Sequence, residues 1–261
     1  METVKTRQHD RWMEEMAELF PPSVVLWRTI EALAVKDAFR SYKFKHPILD
    51  LGCGEGKFAA VVFENDEIDV GLEIEESLVS AASKTGTFKR VVLGDGMRLP
   101  LASESFRTVF SNSVIEHIDD LDSVLNEVAR VLRRDGLFIA TVPTLTLADG
   151  LFFKKRLGAL GLRRLGDLYG KAVNSKLHHV NLHDKDGWRL RFNGVGLDLV
   201  EASPYLGNRA VETWDQLTVE YFFRARLRMK IHRHEDLVRS RVDDGGGYPY
   251  GALLLVAKKV G

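Results

Sequence analysis

The apolar positions of this chain change their period twice. Between residues 10 and 40 they recur at helical spacing: Trp12, Met13, Met16, Leu19 and Phe20, then, beyond Pro21-Pro22, Val24, Val25, Trp27, Ile30, Leu33 and Ala34. Residues three and four apart share a helix face, so this spacing predicts two helices, the second capped by Ser23. From His46 to Pro143 the pattern turns to short apolar runs at 47–51, 68–73, 90–93, 108–110 and 137–142. Helical stretches separate them, among them Leu121–Arg133 with Gly136 as its stop. Strand and helix in alternation predict right-handed crossovers and a parallel sheet covered on both faces.

Two later runs, Leu197–Ser203 and Ala252–Lys258, can extend that sheet. The connections at 144–196 and 204–251 exceed ordinary loop lengths, which predicts helices within them. The expected organisation is a helical cap over 1–45, a ligand-binding core over 46–145, a basic cap over 146–196, and the last two strands with a basic insertion over 197–261. The run Asp243-Asp244-Gly245-Gly246-Gly247 is expected to be a mobile loop.

Composition changes this picture little. Thirty-seven basic residues balance thirty-seven acidic ones, so net charge makes no case for nucleic acid as first partner. The only cysteine is Cys53, which excludes an intramolecular disulfide and suits a reducing compartment. Residues 1–10 are polar, unlike a secretory signal, and no apolar run approaches the ~20 residues of a membrane span. A cytoplasmic protein is expected, with contact at the inner membrane face left open.

The chemistry concentrates in residues 48–58, ILDLGCGEGKF. An apolar strand ends in Asp50, and Gly52, Gly54 and Gly56 turn the chain into a helix whose N-terminus offers free N–H groups. A dinucleotide fingerprint places its third glycine where Lys57 stands. Further strand ends carry Glu73, then Asp95-Gly96-Met97, then Ser111-Asn112-Ser113.

In this order the residues resemble the class I S-adenosylmethionine-dependent methyltransferases, in the broad group of small-molecule and quinone methyltransferases. The likeness covers 46–145 closely and the late strands loosely. It implies an α/β fold: a doubly wound, seven-stranded, mostly parallel sheet with an antiparallel last strand, plus a helical cap. It implies S-adenosylmethionine as methyl donor, its methionine part held by Asp50, Gly52, Cys53, Gly54 and Gly56 and bordered by Ser111 and Asn112. Glu73, with Ile74 beside it, would accept from the ribose hydroxyls, and Asp95, Gly96 and Met97 would meet the adenine. The family's Phe-Asp before strand four reads Phe106-Arg107 here, a departure in a structural detail.

The expected reaction is transfer of the sulfonium methyl to oxygen on a small-molecule, glycan or lipid-linked acceptor. The alternatives are a non-catalytic, donor-binding regulatory subunit and an RNA methyltransferase. Candidate proton acceptors are His117 and, from the segment His178-His179-Val180-Asn181-Leu182-His183, His178 and His179. Glu116-His117 resembles part of an E-x-x-E-H cation motif, but Ser113 stands at its first position, so no metal is expected. Amino-group methylation of bases lacks its Asn/Asp-Pro-Pro-Tyr signature after strand four.

Two segments are basic. Residues 151–171 hold Lys154, Lys155, Arg156, Arg163, Arg164 and Lys171 among leucines and phenylalanines; residues 221–241 hold Arg224, Arg226, Arg228, Lys230, Arg233, Arg239 and Arg241. They read either as solvated faces of a helical cap or as an entrance for an anionic acceptor with peripheral membrane contact through 151–171.

Overall fold

The computed structural model describes residues 17, 20–64, 66–227, 229, 240 and 249–261. Strands β1 (Ile48–Leu51), β2 (Val70–Glu73), β3 (Val91–Leu93), β4 (Phe106–Asn112), β5 (Leu132–Pro143), β6 (Leu197–Tyr205) and β7 (Ala252–Lys259) form one sheet in the order β3-β2-β1-β4-β5-β7-β6. β1 pairs in parallel with β2 and β4, β2 with β3, and β4 with β5. The antiparallel last strand β7 lies between β5 and β6, so the expected α/β class stands. Strand order reverses between β1 and β4, and such a switch leaves a crevice at the carboxyl ends of those strands.

The helices are α1 (Pro22–Tyr42), α2 (Lys57–Phe63), α3 (Glu76–Ala82), α4 (Leu121–Val131), α5 (Leu147–Gly150), α6 (Phe152–Ala159), α7 (Arg163–Lys176), α8 (Lys185–Gly194) and α9 (Asn208–Arg226). Both long connections therefore contain helices among their described residues, as their lengths predicted.

Two local expectations are corrected. Ser23 is not a cap: α1 starts at Pro22, Ser23 is buried within it, and the Pro21 carbonyl accepts from the N–H groups of Val24 and Val25. Proline suits a first helical turn because its missing N–H would be unpaired there anyway. Gly136 does not stop a helix either. α4 ends at Val131, and Leu132 already pairs with Phe106 in β5. The next pair is Thr108 with Leu137, so a two-residue step on β4 faces a five-residue step on β5. Asp135 takes φ 61, and a Cβ at Gly136 would come 2.8 Å from the Arg133 carbonyl oxygen. Gly136 thus serves a bulge, which the helical spacing of Leu132 concealed.

The chain divides into two compact units. One comprises 34–145, 178–203 and 253–261 and holds the sheet; the other comprises 1–33, 146–177 and 204–252 and is helical. Residues 34–45 and 178–196 thus pack with the sheet. Trp12, Met13, Met16 and Leu19 of the first expected helix lie outside the described residues, as do residues 243–247, Arg228, Lys230, Arg233, Arg239 and Arg241.

In the sheet unit, Ile48, Leu49, Val109, Phe110, Phe138 and Ile139 are fully buried. Asp184 caps α8 by accepting from the Gly187 N–H, and the helix buries Trp188 and Phe192, the latter ring 5.5 Å from that of Phe138. Truncating either α8 aromatic to alanine would cost about 3–5 kcal/mol. In the helical unit, Asp215 is buried and accepts from the Phe153 N–H at 3.0 Å and from the Tyr169 hydroxyl. Burial raises its carboxyl pKa despite those bonds.

Candidate active site

The carboxyl ends of β1, β2 and β4 bring the predicted loop residues together. β1 is wholly buried, and the first two N–H groups beyond it, those of Gly52 and Cys53, donate to the Leu72 carbonyl at 2.8 and 3.0 Å. Gly52, Gly54 and Gly56 all take left-handed φ, +75°, +56° and +78°, which only glycine adopts cheaply. A Cβ at Gly56 would press within 2.9 Å of Phe88, whereas one at Gly54 would meet nothing within 4 Å. Gly54 therefore borders open space, as a backbone cradle for a ligand requires. Cys53 is buried against Gly71, and burial, Asp50 and Glu73 all push its thiol pKa upward, so it remains a neutral packing group.

Glu73 holds the loop from the other side. One carboxylate oxygen accepts from the Gly54 N–H at 2.9 Å; the other accepts from Ile74 at 2.8 Å and Glu75 at 3.2 Å. A carboxylate offers about four acceptor sites, so capacity remains for hydroxyl donors. Asp50 is buried beside this charge. Burial first, and Glu73 second, push its carboxyl up to about 8.

Next to these groups lies exposed apolar surface. Ile74 is 67% exposed, Leu93 51% and Met97 40%. Asp95 accepts from the Met97 N–H at 2.8 Å, which sets the turn after β3 and positions that side chain. Apolar residues flanking a strand-end carboxylate suit a flat, hydroxyl-bearing ligand such as a nucleoside. Ser111 is buried, its hydroxyl donating to the Leu51 carbonyl at 3.2 Å, so it braces β4 against β1. Asn112 accepts from the Thr141 hydroxyl at 2.9 Å, and that hydroxyl accepts from the Ser113 N–H at 3.1 Å.

Beyond β4 the chain makes a short 3₁₀ turn, Ile115–His117, with Ile115 and Glu116 buried. The histidine segment docks on this turn. The Val180 and Asn181 N–H groups donate to the Glu116 carbonyl at 2.9 and 3.0 Å, and the Asn181 amide donates to the carbonyls of Ile115 and Ile118. Asn181 is thus the clamp of the site. Sequence reasoning gave it no role, because its partners lie more than sixty residues away.

Docking brings the His179 ring within 5.5 Å of the His117 ring. His117 Nδ1 lies 3.1 Å from the His178 carbonyl, which can only accept, so Nδ1 carries a proton and the ring is held with Nε2 directed away from that carbonyl. The His178 side chain is exposed, and its backbone at φ 54 aims that carbonyl. Burial lowers the His179 pKa to about 4, with His117 a second cause, so His179 is neutral at pH 7. His183 packs edge-on against Trp188, 5.0 Å between centroids.

Sheet order, glycine loop and strand-end carboxylates together define a class I S-adenosylmethionine-dependent methyltransferase fold. Residues 49–140 match the methyltransferase domain family. It is 32% identical over 112 residues to an O-methyltransferase of Pyrenophora dematioidea, covering 40% of each protein. It is 33% identical over 100 residues to the malonyl-[acyl-carrier protein] O-methyltransferase of Legionella pneumophila, covering 36% of this chain and 35% of the relative. The chain thus spans well under two thirds of these relatives. Among solved structures, phosphoethanolamine N-methyltransferase 2 of Haemonchus contortus superposes with a TM-score of 0.59 at 18% identity, over 88% of this chain and 52% of that one; this likeness concerns the fold.

Proposed function

We propose that the protein methylates an oxygen nucleophile on a small-molecule, glycan or lipid-linked acceptor, with S-adenosylmethionine as donor. The observation that carries this reading is the placement of the His117 ring, oriented by the His178 carbonyl beside a neutral His179. The donor supplies an electrophilic methyl on sulfonium sulfur. The acceptor oxygen forms the new C–O bond as the S–C bond breaks, and the hydroxyl proton passes to His117 Nε2 and then to solvent. The Gly54 cradle, Glu73, Ile74 and Met97 hold and align the donor; alignment is the main catalytic contribution, because the sulfonium is already reactive. Incubating the protein with isotopically labelled donor and a metabolite extract, followed by mass spectrometry, tests the reading. An O-methyl product is expected, whereas donor binding without any labelled product would make this a donor-binding subunit.

Asp50 yields a prediction about pH. An unfolded aspartate ionises near 4, whereas in the fold the group titrates near 8. Its contribution to stability is therefore present below about pH 4 and lost as pH rises toward 8. A cationic donor nearby favours the carboxylate, so binding at pH 7 should release a proton and tighten as pH rises from 6 to 8. Calorimetry in buffers of different ionisation enthalpy should show that release, and Asp50→Asn should abolish it. Identical heats in all buffers would remove the coupling.

The helical unit supports an acceptor with an apolar part. A cavity of about 250 Å³ between α1, α7 and α9 is lined by Val24, Val173, Leu177, Trp214, Tyr221 and Phe222. On its surface, Leu160, Leu162, Leu165 and Leu168 are exposed beside exposed Arg163 and Arg164. Lys154 and Lys155 are instead occupied within the unit, by Asp149 and Asp167 and by Glu212 and Asn208. Peripheral membrane contact would therefore run through the leucines and the two arginines. Arg163→Gln with Arg164→Gln should weaken binding to anionic vesicles, high salt should mimic the loss, and donor affinity should not change. Equal binding to anionic and neutral vesicles would leave this surface an ordinary solvated face.

A further inference from the structure

Glu116, His117 and His179 each present one donor atom, all within 4.8 Å of one another. No metal was expected from the sequence, because the position three residues before Glu116 is Ser113. Folding supplies a third group from a distant segment. The arrangement has four features of a metal centre. The Glu116 carboxylate, a hard oxygen donor, is 1% exposed. His117 donates its Nδ1 proton to a backbone carbonyl, the outer contact that fixes the tautomer and orients a ligating imidazole. Its free Nε2 then faces Glu116 Oε1 at 3.6 Å, too far for a hydrogen bond. The buried Nδ1 of His179 has no hydrogen-bond partner among the described residues.

We propose that Glu116, His117 and His179 form a binding site for a divalent transition-metal cation, with coordination positions left open for the acceptor's oxygen. Two imidazoles and one carboxylate suit Zn²⁺, Mn²⁺, Fe²⁺ or Co²⁺ better than Mg²⁺ or Ca²⁺, which prefer all-oxygen sets. Bonds of about 2.1 Å put ligand atoms about 3–3.5 Å apart, so loading draws the three side chains slightly inward. The role given to the cation rests on the oxygen-methylation reading. With a cation bound, both histidines would be ligands, and the acidified acceptor hydroxyl would lose its proton to solvent water instead of to His117. The acceptors best matched carry a second oxygen near the reacting hydroxyl, able to chelate.

Calorimetry with ZnCl₂ and with MnCl₂ on the chelator-treated full chain tests the site without reference to activity. One equivalent should bind, and Co²⁺ should give a visible absorption spectrum that reports histidine ligation. Glu116→Gln and His179→Gln should each weaken binding by about a hundredfold or more, since even outer contacts of metal sites are worth 10- to 100-fold. Thermal melts establish that each variant is folded. Absence of saturable binding, or binding unchanged by His179→Gln, would overturn the proposal. Donor affinity measured on the same samples separates the two readings: donor binding and methyl transfer without cation binding sinks the site alone. Cation binding without an O-methyl product leaves the site and sinks the reaction assigned to it.

Discussion

Glu73→Ala is expected to weaken S-adenosylmethionine binding by about 2–4 kcal/mol, roughly 30- to 1,000-fold, the worth of two hydrogen bonds to a charged acceptor. The geometry indicates the upper part of that range. Glu73 also accepts from the N–H groups of Gly54 and Ile74, so its loss frees the loop as well as the hydroxyl acceptor. Glu73→Gln keeps the shape but turns an NH₂ toward groups that donate, and it should lose nearly as much. A second readout comes from Asp50, whose carboxyl is raised partly by the Glu73 charge. Removing that charge should lower the Asp50 pKa and shrink the proton release on donor binding. A folded Glu73→Ala protein with unchanged affinity by calorimetry would sink the assignment of this carboxylate to the donor.

Much of this architecture was legible because its signals are local. The Gly52, Gly54 and Gly56 spacing, the apolar run before Asp50 and the carboxylate closing β2 each lie within a few residues of what they determine. The β4–β5 bulge was not legible, since Leu132 continues the helical spacing of α4 and only its pairing with Phe106 makes it a strand residue. The histidine segment could be noticed for its composition, but not placed. Its position depends on Asn181 reaching the carbonyls of Ile115 and Ile118, residues more than sixty positions away in the sequence. The basic segment shows the same limit. Lys154 and Lys155 read as free charge until the fold supplies Asp149, Asp167 and Glu212. Local pattern carries the donor half of the site; tertiary contact assembles the half that would face the acceptor.

The glycine loop allows stability and binding to be separated. Gly52→Ala should destabilise the protein whether or not donor is present. A Cβ there would lie 2.5 and 2.8 Å from the two methyls of Val114, and the backbone sits at φ +75°. Left-handed strain costs about 1–2 kcal/mol and overpacking about 1–3 kcal/mol. Together they should lower Tm by roughly 4–20 °C, at about 2–4 °C per kcal/mol for a domain of this size. Val114 precedes the turn that holds Glu116 and His117, so the clash also displaces those groups. Combining Gly52→Ala with Val114→Ala removes the steric part and leaves the strain, so about half of the lost stability should return relative to the sum of the single variants. Gly54→Val tests the converse. Its Cβ meets nothing within 4 Å, which leaves only the strain of φ +56°, while its branched side chain enters the space assigned to the donor. It should lower Tm only by the roughly 2–8 °C that this strain is worth and fail to bind S-adenosylmethionine. Normal donor affinity in Gly54→Val would move the donor away from the loop, and a Gly52→Ala melting curve lowered no more than that of Gly54→Val would show that Val114 yields freely.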